Sequence, residues 1–142
     1  MNVDKLQFID LGLPSGKLWA TENFKDENGN EAYYTFDDAV QTFGENLPSR
    51  EDWKELFNIC SYKWNKKKKG YDVTGPNSNS IFLPAAGYRS DVSMKYIGSD
   101  GYYWSSSVYD ENGAYCVNFY SGNLNPQNNG YRFVGFSVRL VR

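Results

Sequence analysis

Turn-forming residues recur along the whole sequence, which contains 13 Gly and 5 Pro among its 142 residues. This spacing limits every helix and strand to a short segment between loops. No internal repeat and no linker divides the chain, and its length is enough for one domain with a sizeable core. The sequence therefore predicts a single, loop-rich domain over residues 1–142.

Two short helices are predicted by their capping residues. Thr35, followed by Asp38, favours a helix over Phe36–Phe43 that stops before Gly44. Ser49 favours the start of a second helix. Its apolar stripe at i, i+3, i+4 and i+7 consists of Trp53, Leu56, Phe57 and Cys60.

Short strands are predicted on both sides of these helices. The candidate segments are residues 8–11, 17–20, 80–84, 102–105, 114–119 and 136–141. We expect an α+β fold, with two helices, short antiparallel sheets and long loops. We also expect the N-terminal segment to pair with the last predicted strand, because both ends of the chain have strand character.

Composition disfavours several classes of function. The chain has no His, which removes imidazole metal sites and His-dependent nucleophilic catalysis. A net charge of −2 argues against a nucleic-acid-binding protein. No apolar run approaches the roughly 20 residues that cross a bilayer, and the first residues lack the layout of a signal peptide. We expect no enzymatic activity, no cofactor, no metal and no membrane insertion.

Two features have ordinary structural interpretations. The four Lys of residues 66–69 are expected in a solvated turn. Cys60 is expected as a small buried hydrophobic residue, and Cys116 lies in a predicted strand with no cationic group nearby to favour its thiolate. One disulfide between them is possible on counting alone.

The tail is rich in Asn, mixed with Tyr, Gly and Pro126. Its Asn residues are Asn118, Asn123, Asn125, Asn128 and Asn129. One interpretation is a long, turn-rich hairpin, because Asn and Gly accept turn conformations. The other is a recognition surface, because 18% of the chain is aromatic and binding loops combine Tyr with Asn, Ser and Gly. Composition alone leaves both open.

Five motifs in order give the chain a family resemblance. They are DLGLPSGKLWA from Asp10, LPSREDWKEL from Leu47, IFLPAAGYR from Ile81, YWSSS from Tyr103 and GFSVRLVR from Gly135. This set resembles the Fibrobacter succinogenes major paralogous domain family. The resemblance implies a C-type-lectin-like fold, akin to that of formylglycine-generating enzymes.

The tail has a narrower resemblance. The run NFYSGNLNPQNN from Asn118, followed by Arg132 and the GFSVR motif, is similar to the variable region of diversity-generating retroelement target proteins. In such systems a reverse transcriptase corrupts template adenines and overwrites the end of the gene. The resemblance implies a variable region over about residues 102–142. The implied ligand-binding residues are Tyr109, Tyr115, Cys116, Tyr120, Asn128, Asn129, Gly130, Tyr131, Phe133 and Val134.

The resemblance implies a non-catalytic protein that displays a diversified surface. Its partner would be a protein or glycan on a cell surface, and its location extracellular, on a cell surface or on a phage virion. The first alternative is an undiversified carbohydrate- or protein-binding module of a surface protein. An oxidase-like enzyme is disfavoured, since the copper-binding cysteine pair has no counterpart here. Asn125-Pro126-Gln127 lacks the carboxylate of calcium-dependent lectin motifs, which argues against calcium-dependent sugar binding.

Overall fold

The computed structural model describes residues 2–142, which form two short α-helices and ten short strands. Helix α1 spans Phe36–Phe43 and α2 spans Arg50–Ile59. The strands are β1 (Phe8–Asp10), β2 (Leu18–Ala20), β3 (Ser61–Asn65), β4 (Gly70–Thr74), β5 (Ser80–Pro84), β6 (Tyr88–Ser90), β7 (Ser93–Lys95), β8 (Gly101–Val108), β9 (Gly113–Tyr120) and β10 (Asn123–Tyr131). Short 3-10 turns cover Val3–Lys5 and Gly44–Asn46.

The expected α+β, C-type-lectin-like fold class is wrong. Within the described chain only 17% of residues are helical, and the strands form four small sheets, so the protein is a small β-rich domain. The sequence underestimated the strand content because β3, β6, β7 and β10 are rich in Lys, Ser or Asn. Hydrogen bonding to a neighbouring strand, rather than local strand preference, makes these segments extended.

Antiparallel hairpins account for the four sheets. β1 pairs with β2, and β6 pairs with β7. The two three-stranded sheets have the orders β3-β4-β5 and β10-β9-β8. The four-lysine segment forms the exposed turn between β3 and β4, which confirms the expected solvated turn.

Both helices begin where the capping residues predicted. The Thr35 hydroxyl accepts a hydrogen bond from the Asp38 amide, and Gly44 caps the C-terminal end of α1. Ser49 and Asp52 form a reciprocal capping box at the start of α2. The face of α2 that carries Trp53, Leu56 and Phe57 is buried.

The buried residues form two clusters. Trp53 of α2 lies in the first, where its ring contacts those of Trp19 and Tyr103 at centroid distances of 4.8 and 5.7 Å. Trp104 lies in the second, 4.1 Å from the ring of Phe136. The indole N–H of Trp53 donates to the Trp104 carbonyl at 3.2 Å, so the clusters are joined through strand β8.

The two ends of the chain are paired, as the sequence predicted. The Leu18 amide donates to the Arg142 carbonyl and the Ala20 amide to the Leu140 carbonyl, both at 2.9 Å. However, residues 136–141 form isolated bridges instead of the continuous strand that was expected. The reason is that this segment changes partner along its length, with Phe136 bridging Tyr34 and Val141 bridging Trp19.

Arg139 supports this closure from inside the protein, where it is 1% exposed. Its guanidinium donates to Asn23 Oδ1 at 2.9 Å, to the Ala20 carbonyl at 3.2 Å and to the Phe82 carbonyl at 2.6 Å. Burial lowers the pKa of Arg139, and the neighbouring Tyr103 and Glu31 oppose that shift. The side chain thereby holds two separate segments, residues 20–23 and strand β5, against the final residues of the chain.

No helix within residues 2–142 has the length and apolar character required to cross a bilayer.

Candidate functional site

The candidate site lies at one end of the β8–β9–β10 sheet. β9 is central, and β10 is an edge strand in which Pro126 coincides with a register shift between Asn125 and Asn128. Proline and a local irregularity both discourage edge-to-edge pairing with another chain. This edge can therefore present its side chains to solvent while remaining attached to a buried strand.

Four aromatic residues and one Asn come together where β9 begins and β10 ends. We name this the aromatic surface and define it as Tyr109, Tyr115, Asn129, Tyr131 and Phe133. Asn129 pairs with Tyr115 across the two strands, and Tyr131 pairs with Gly113. Side chains on paired residues of one sheet face are neighbours, so the surface is continuous across the hairpin.

The rings of the aromatic surface form two contacting pairs. Tyr131 and Phe133 stack with centroids 5.6 Å apart and 16° between their planes, and they are 65% and 75% exposed. Tyr109 meets Tyr115 edge to face at 5.3 Å and is 51% exposed. Large aromatic side chains that remain in water at one place are typical of a binding surface.

A tight turn shapes the floor of the aromatic surface. The Asp110 Oδ1 atom accepts hydrogen bonds from the amides of Asn112 and Gly113 at 2.9 and 2.7 Å. Arg132 donates to the Asp110 carbonyl at 2.6 Å, and its guanidinium lies over the ring of Phe36 at 5.3 Å. The turn between β8 and β9 is therefore tied both to the end of β10 and to helix α1.

Two open cavities border this turn. One, of about 340 Å³, is lined by Asp110, Asn112, Gly113, Asn129, Gly130 and Tyr131. The other, of about 390 Å³, is lined by Thr35, Asp37, Glu111, Asn112, Arg132 and Phe133. The stacked rings of Tyr131 and Phe133 thus have a recess associated with each ring.

Arg50 orders the opposite side of the aromatic surface. It is the first residue of α2, and its guanidinium lies 4.1 Å from the centroid of the Tyr115 ring. Its Nε atom donates to the Gln127 side chain, and its backbone amide donates to the Ser107 hydroxyl oxygen at 3.0 Å. Tyr115 is therefore held between α2 and Tyr109.

A third, smaller cavity of about 210 Å³ opens on the other face of the same hairpin. Its lining is mostly aromatic and apolar, and comprises Tyr88, Tyr102, Cys116, Asn128, Asn129, Gly130, Tyr131, Val134 and Phe136. Burial is the main cause that raises the pKa of Tyr102 to about 12, so this phenol is neutral at physiological pH. The cavity offers apolar walls with amide and hydroxyl groups, and Asn128 and Val134 lie within it.

Not every implied site residue joins the aromatic surface. Tyr120 is 47% exposed, but it lies at the opposite end of β9, where its carbonyl accepts a hydrogen bond from Tyr71. Tyr120 therefore lies outside the aromatic surface. Tyr120 remains solvent-accessible as a separate position.

Two other implied residues have structural positions that do not suit free variation. Cys116 is 2% exposed and packs in the cluster of Trp104 and Phe136. A Cβ atom on Gly130 would lie 2.8 Å from two ring carbons of Phe136. The expectation that Cys116 and Gly130 are display positions is corrected, since strand alternation turns both toward the core.

Both cysteines are buried free thiols, which confirms the expected burial of Cys60. Burial raises the pKa of the Cys116 thiol to about 12 and also raises that of Cys60. The reactive thiolate is therefore disfavoured at both positions. No group of three or more His, Cys, Asp and Glu residues within positions 2–142 is arranged to hold a metal ion.

Sequence reasoning missed several residues that organise the site. Arg50 and Arg132 have no local signal that would pair them with Tyr115 or with the Asp110 turn. Tyr88 also went unnoticed, although its ring lies 5.0 Å from Tyr102 and 5.8 Å from Tyr96. Tyr96 belongs to a second exposed apolar group near the β6–β7 hairpin, which consists of Val92, Met94, Tyr96 and Ile97.

Comparison with known proteins places most of the chain in one family. No curated protein matches the chain, and no solved structure matches it either. Residues 54–141 match a family described as a domain of unknown function, DUF8237. The matched span begins in α2 and includes the whole β8–β9–β10 sheet together with the final bridged segment. Because the match covers more than half of its residues, the chain belongs to the DUF8237 family.

Proposed function

We propose that this protein is a non-catalytic ligand-binding protein whose aromatic surface recognises a partner on a cell surface. The observation that carries the proposal is the exposed stack of Tyr131 and Phe133, which lies beside Tyr109 and Asn129 and between open cavities. Rigid aromatic rings supply contact area at low conformational cost, and Asn adds hydrogen bonds.

The proposal extends to diversification of the gene that encodes this surface. The tail resembles retroelement-diversified proteins, and several of its implied variable positions carry exposed side chains. Tyr109, Tyr120, Asn129, Tyr131 and Phe133 are all exposed. Substitution at such positions changes surface chemistry with little effect on packing. Cys116 and Gly130 are excluded from the proposed variable set.

The proposed location follows from the proposed partner. A protein that recognises a cell-surface protein or glycan acts outside the cell that carries the ligand, on a cell surface or on a phage virion. Undiversified binding by the same surface is the second candidate, and the exposed Tyr131–Phe133 stack supports it equally.

A binding assay tests the recognition function. The double variant Tyr131→Ser/Phe133→Ser should lose most binding to a panel of cell-surface glycans and envelope proteins, measured by biolayer interferometry. Tyr62→Ser is the matched control, because it also removes a partly exposed ring but lies in β3 of the other three-stranded sheet. Equal loss in both variants, or retained binding in the double variant, would contradict recognition by the aromatic surface.

Inspection of the surrounding DNA tests diversification separately. We expect a reverse-transcriptase reading frame and a near-copy of the segment encoding about residues 102–142, differing mainly at adenines. Substitutions should map to the exposed positions and spare the Gly130 and Arg139 codons. Absence of both features, together with a positive binding assay, would leave the undiversified binding module.

A further inference from the structure

We infer that the partner of the aromatic surface is a protein that presents an arginine side chain to Phe133, Glu111 and Asp37. This inference rests on the proposed function and specifies the chemistry of the ligand. It follows from the shape, the ring stack and the charges of the recess beside Phe133.

The recess combines an aromatic wall with carboxylates. Phe133, Glu111 and Asp37 line the same cavity of about 390 Å³. Phe133 is 75% exposed, and the Asp37 side chain is 80% exposed. Stacking on Tyr131 fixes the orientation of the Phe133 ring, so an incoming planar group meets a preformed wall.

Arg132 is the cation already present in this recess, and its guanidinium is occupied. It donates to the carbonyls of Asp110 and Gly113 and lies over the Phe36 ring. Its Nη1 atom is 3.9 Å from Asp37, which is a long contact for an ion pair. The recess is therefore lined by two carboxylates and one guanidinium that is already engaged, and this balance favours an additional positive charge.

Arginine matches this combination better than a sugar or an acidic group. A guanidinium is planar, stacks on aromatic rings and donates in a fork to a carboxylate. The protein itself places a guanidinium over an aromatic ring at Arg50 and Tyr115 and at Arg142 and Phe8, with distances of 4.1 and 4.6 Å. A sugar could stack on Phe133 but has no positive charge for Glu111 and Asp37, and a carboxylate ligand would be repelled by them.

Titration of the isotope-labelled full chain, followed by NMR, provides the test. The probe is a blocked pentapeptide with one central arginine flanked by Gly and Ser. There are three comparison probes. Two are the same peptide with the arginine replaced by citrulline, its neutral isostere, or by glutamate. The third is N-acetylglucosamine. We expect the arginine peptide to shift amide signals of residues 111–112 and 131–133 and to bind about fivefold more tightly than the citrulline peptide.

Carboxylate variants locate the charge that the peptide requires. Glu111→Gln should weaken arginine-peptide binding about threefold, within the range of one surface ion pair. Added salt should also weaken this binding, because it screens the attraction between the charges. Glu27→Gln is the matched control, because Glu27 is exposed in the loop between β2 and α1, does not line the recess and should leave binding unchanged. Equal effects of Glu111→Gln and Glu27→Gln would overturn the assigned role of Glu111.

The outcomes separate this inference from the proposed function. If N-acetylglucosamine or the citrulline peptide shifts the same amides as strongly as the arginine peptide, the inferred arginine ligand is wrong and the binding surface stands. If the arginine peptide shifts none of these amides, and Tyr131→Ser/Phe133→Ser also retains binding in the panel assay, both proposals fail. Preference for the glutamate peptide would reverse the inferred charge of the partner.

Discussion

Two adjoining parts of the tail differ sharply in burial. Every residue from 135 to 141 is buried, whereas none from 123 to 134 is. The buried part is held by bridges to Tyr34, Tyr103 and Trp19 and by the hydrogen bonds of Arg139. The exposed part pairs along one edge of β10 with β9, and beyond that ladder the Arg132 carbonyl accepts a hydrogen bond from the Phe36 amide. We call residues 135–141 the anchor and residues 123–134 the display part. Two adjoining parts of one tail can differ in this way because the backbone of the anchor has more hydrogen-bond partners than that of the display part.

The largest effect should come from removing the ring on which the anchor packs. Trp104→Ala should lower the free energy of unfolding by about 3–5 kcal/mol, the range for deleting a large core aromatic residue. Trp104 is fully buried, contacts Phe136, and donates to the Tyr34 carbonyl at 2.6 Å. Urea denaturation followed by circular dichroism measures the change. A loss below about 1 kcal/mol, the size of a surface effect, would contradict the anchor.

Loss of the buried guanidinium should have the next largest effect. Arg139→Leu should cost about 3 kcal/mol, because each buried acceptor left without its donor costs about 1–3 kcal/mol. Arg142→Leu is the control, since that side chain is 50% exposed and should change stability far less. Equal melting temperatures for the two variants would show that the Arg139 contacts do not stabilise the anchor.

Gly130 tests the contact between the two parts, because it belongs to the display part and lies against Phe136 of the anchor. Gly130→Ala should destabilise the protein by about 1–3 kcal/mol, the usual cost of overpacking, because the new Cβ would meet Phe136. A Cβ on Gly122 would lie 3.3 Å from an edge carbon of the Tyr120 ring, which is itself exposed and can move. Gly122→Ala should therefore be tolerated better in thermal melts. The reverse order would show that Gly130 does not pack closely against Phe136.

The display part should tolerate substitution. Tyr131→Ser/Phe133→Ser should change the free energy of unfolding by less than about 1 kcal/mol, because both rings are exposed and lose mainly their mutual contact. The same urea titration used for Trp104→Ala gives the comparison. If the double variant unfolds, the stacked rings are part of the core and the division into anchor and display is wrong.

The reactivity of the two thiols tests, without any substitution, whether Cys116 is closed to solvent beneath the display part. The pKa of about 12 for Cys116 exceeds its ordinary value of 9.0 because the thiol is buried. At pH 8 the folded protein should react with Ellman's reagent at neither Cys116 nor Cys60, and urea should release both thiols. Rapid reaction of Cys116 in the native state would show that the cavity beneath Asn128 opens to the reagent.

Local signals explain which elements were predictable. The caps at Thr35 and Ser49 and the stripe of α2 depend on residues within one or two helical turns, so both helices were located correctly. The paired chain ends were also predicted, from strand character at both ends. In contrast, β10 has the composition of a turn-rich loop and becomes a strand because β9 supplies its hydrogen-bond partners. The predominance of β-structure was missed for this reason.

The sequence by itself determined the positions of the two helices, the burial of Cys60 and the concentration of Tyr and Asn in the tail. Only the tertiary structure decided that Tyr131 and Phe133 stack in solvent while Cys116 and Gly130 face the core. It also brought Arg50 to Tyr115 and Arg132 to the Asp110 turn, and it placed Tyr120 at the far end of the strand. The physical reason is that burial depends on which strand faces are covered, and contacts between residues distant in sequence determine that covering.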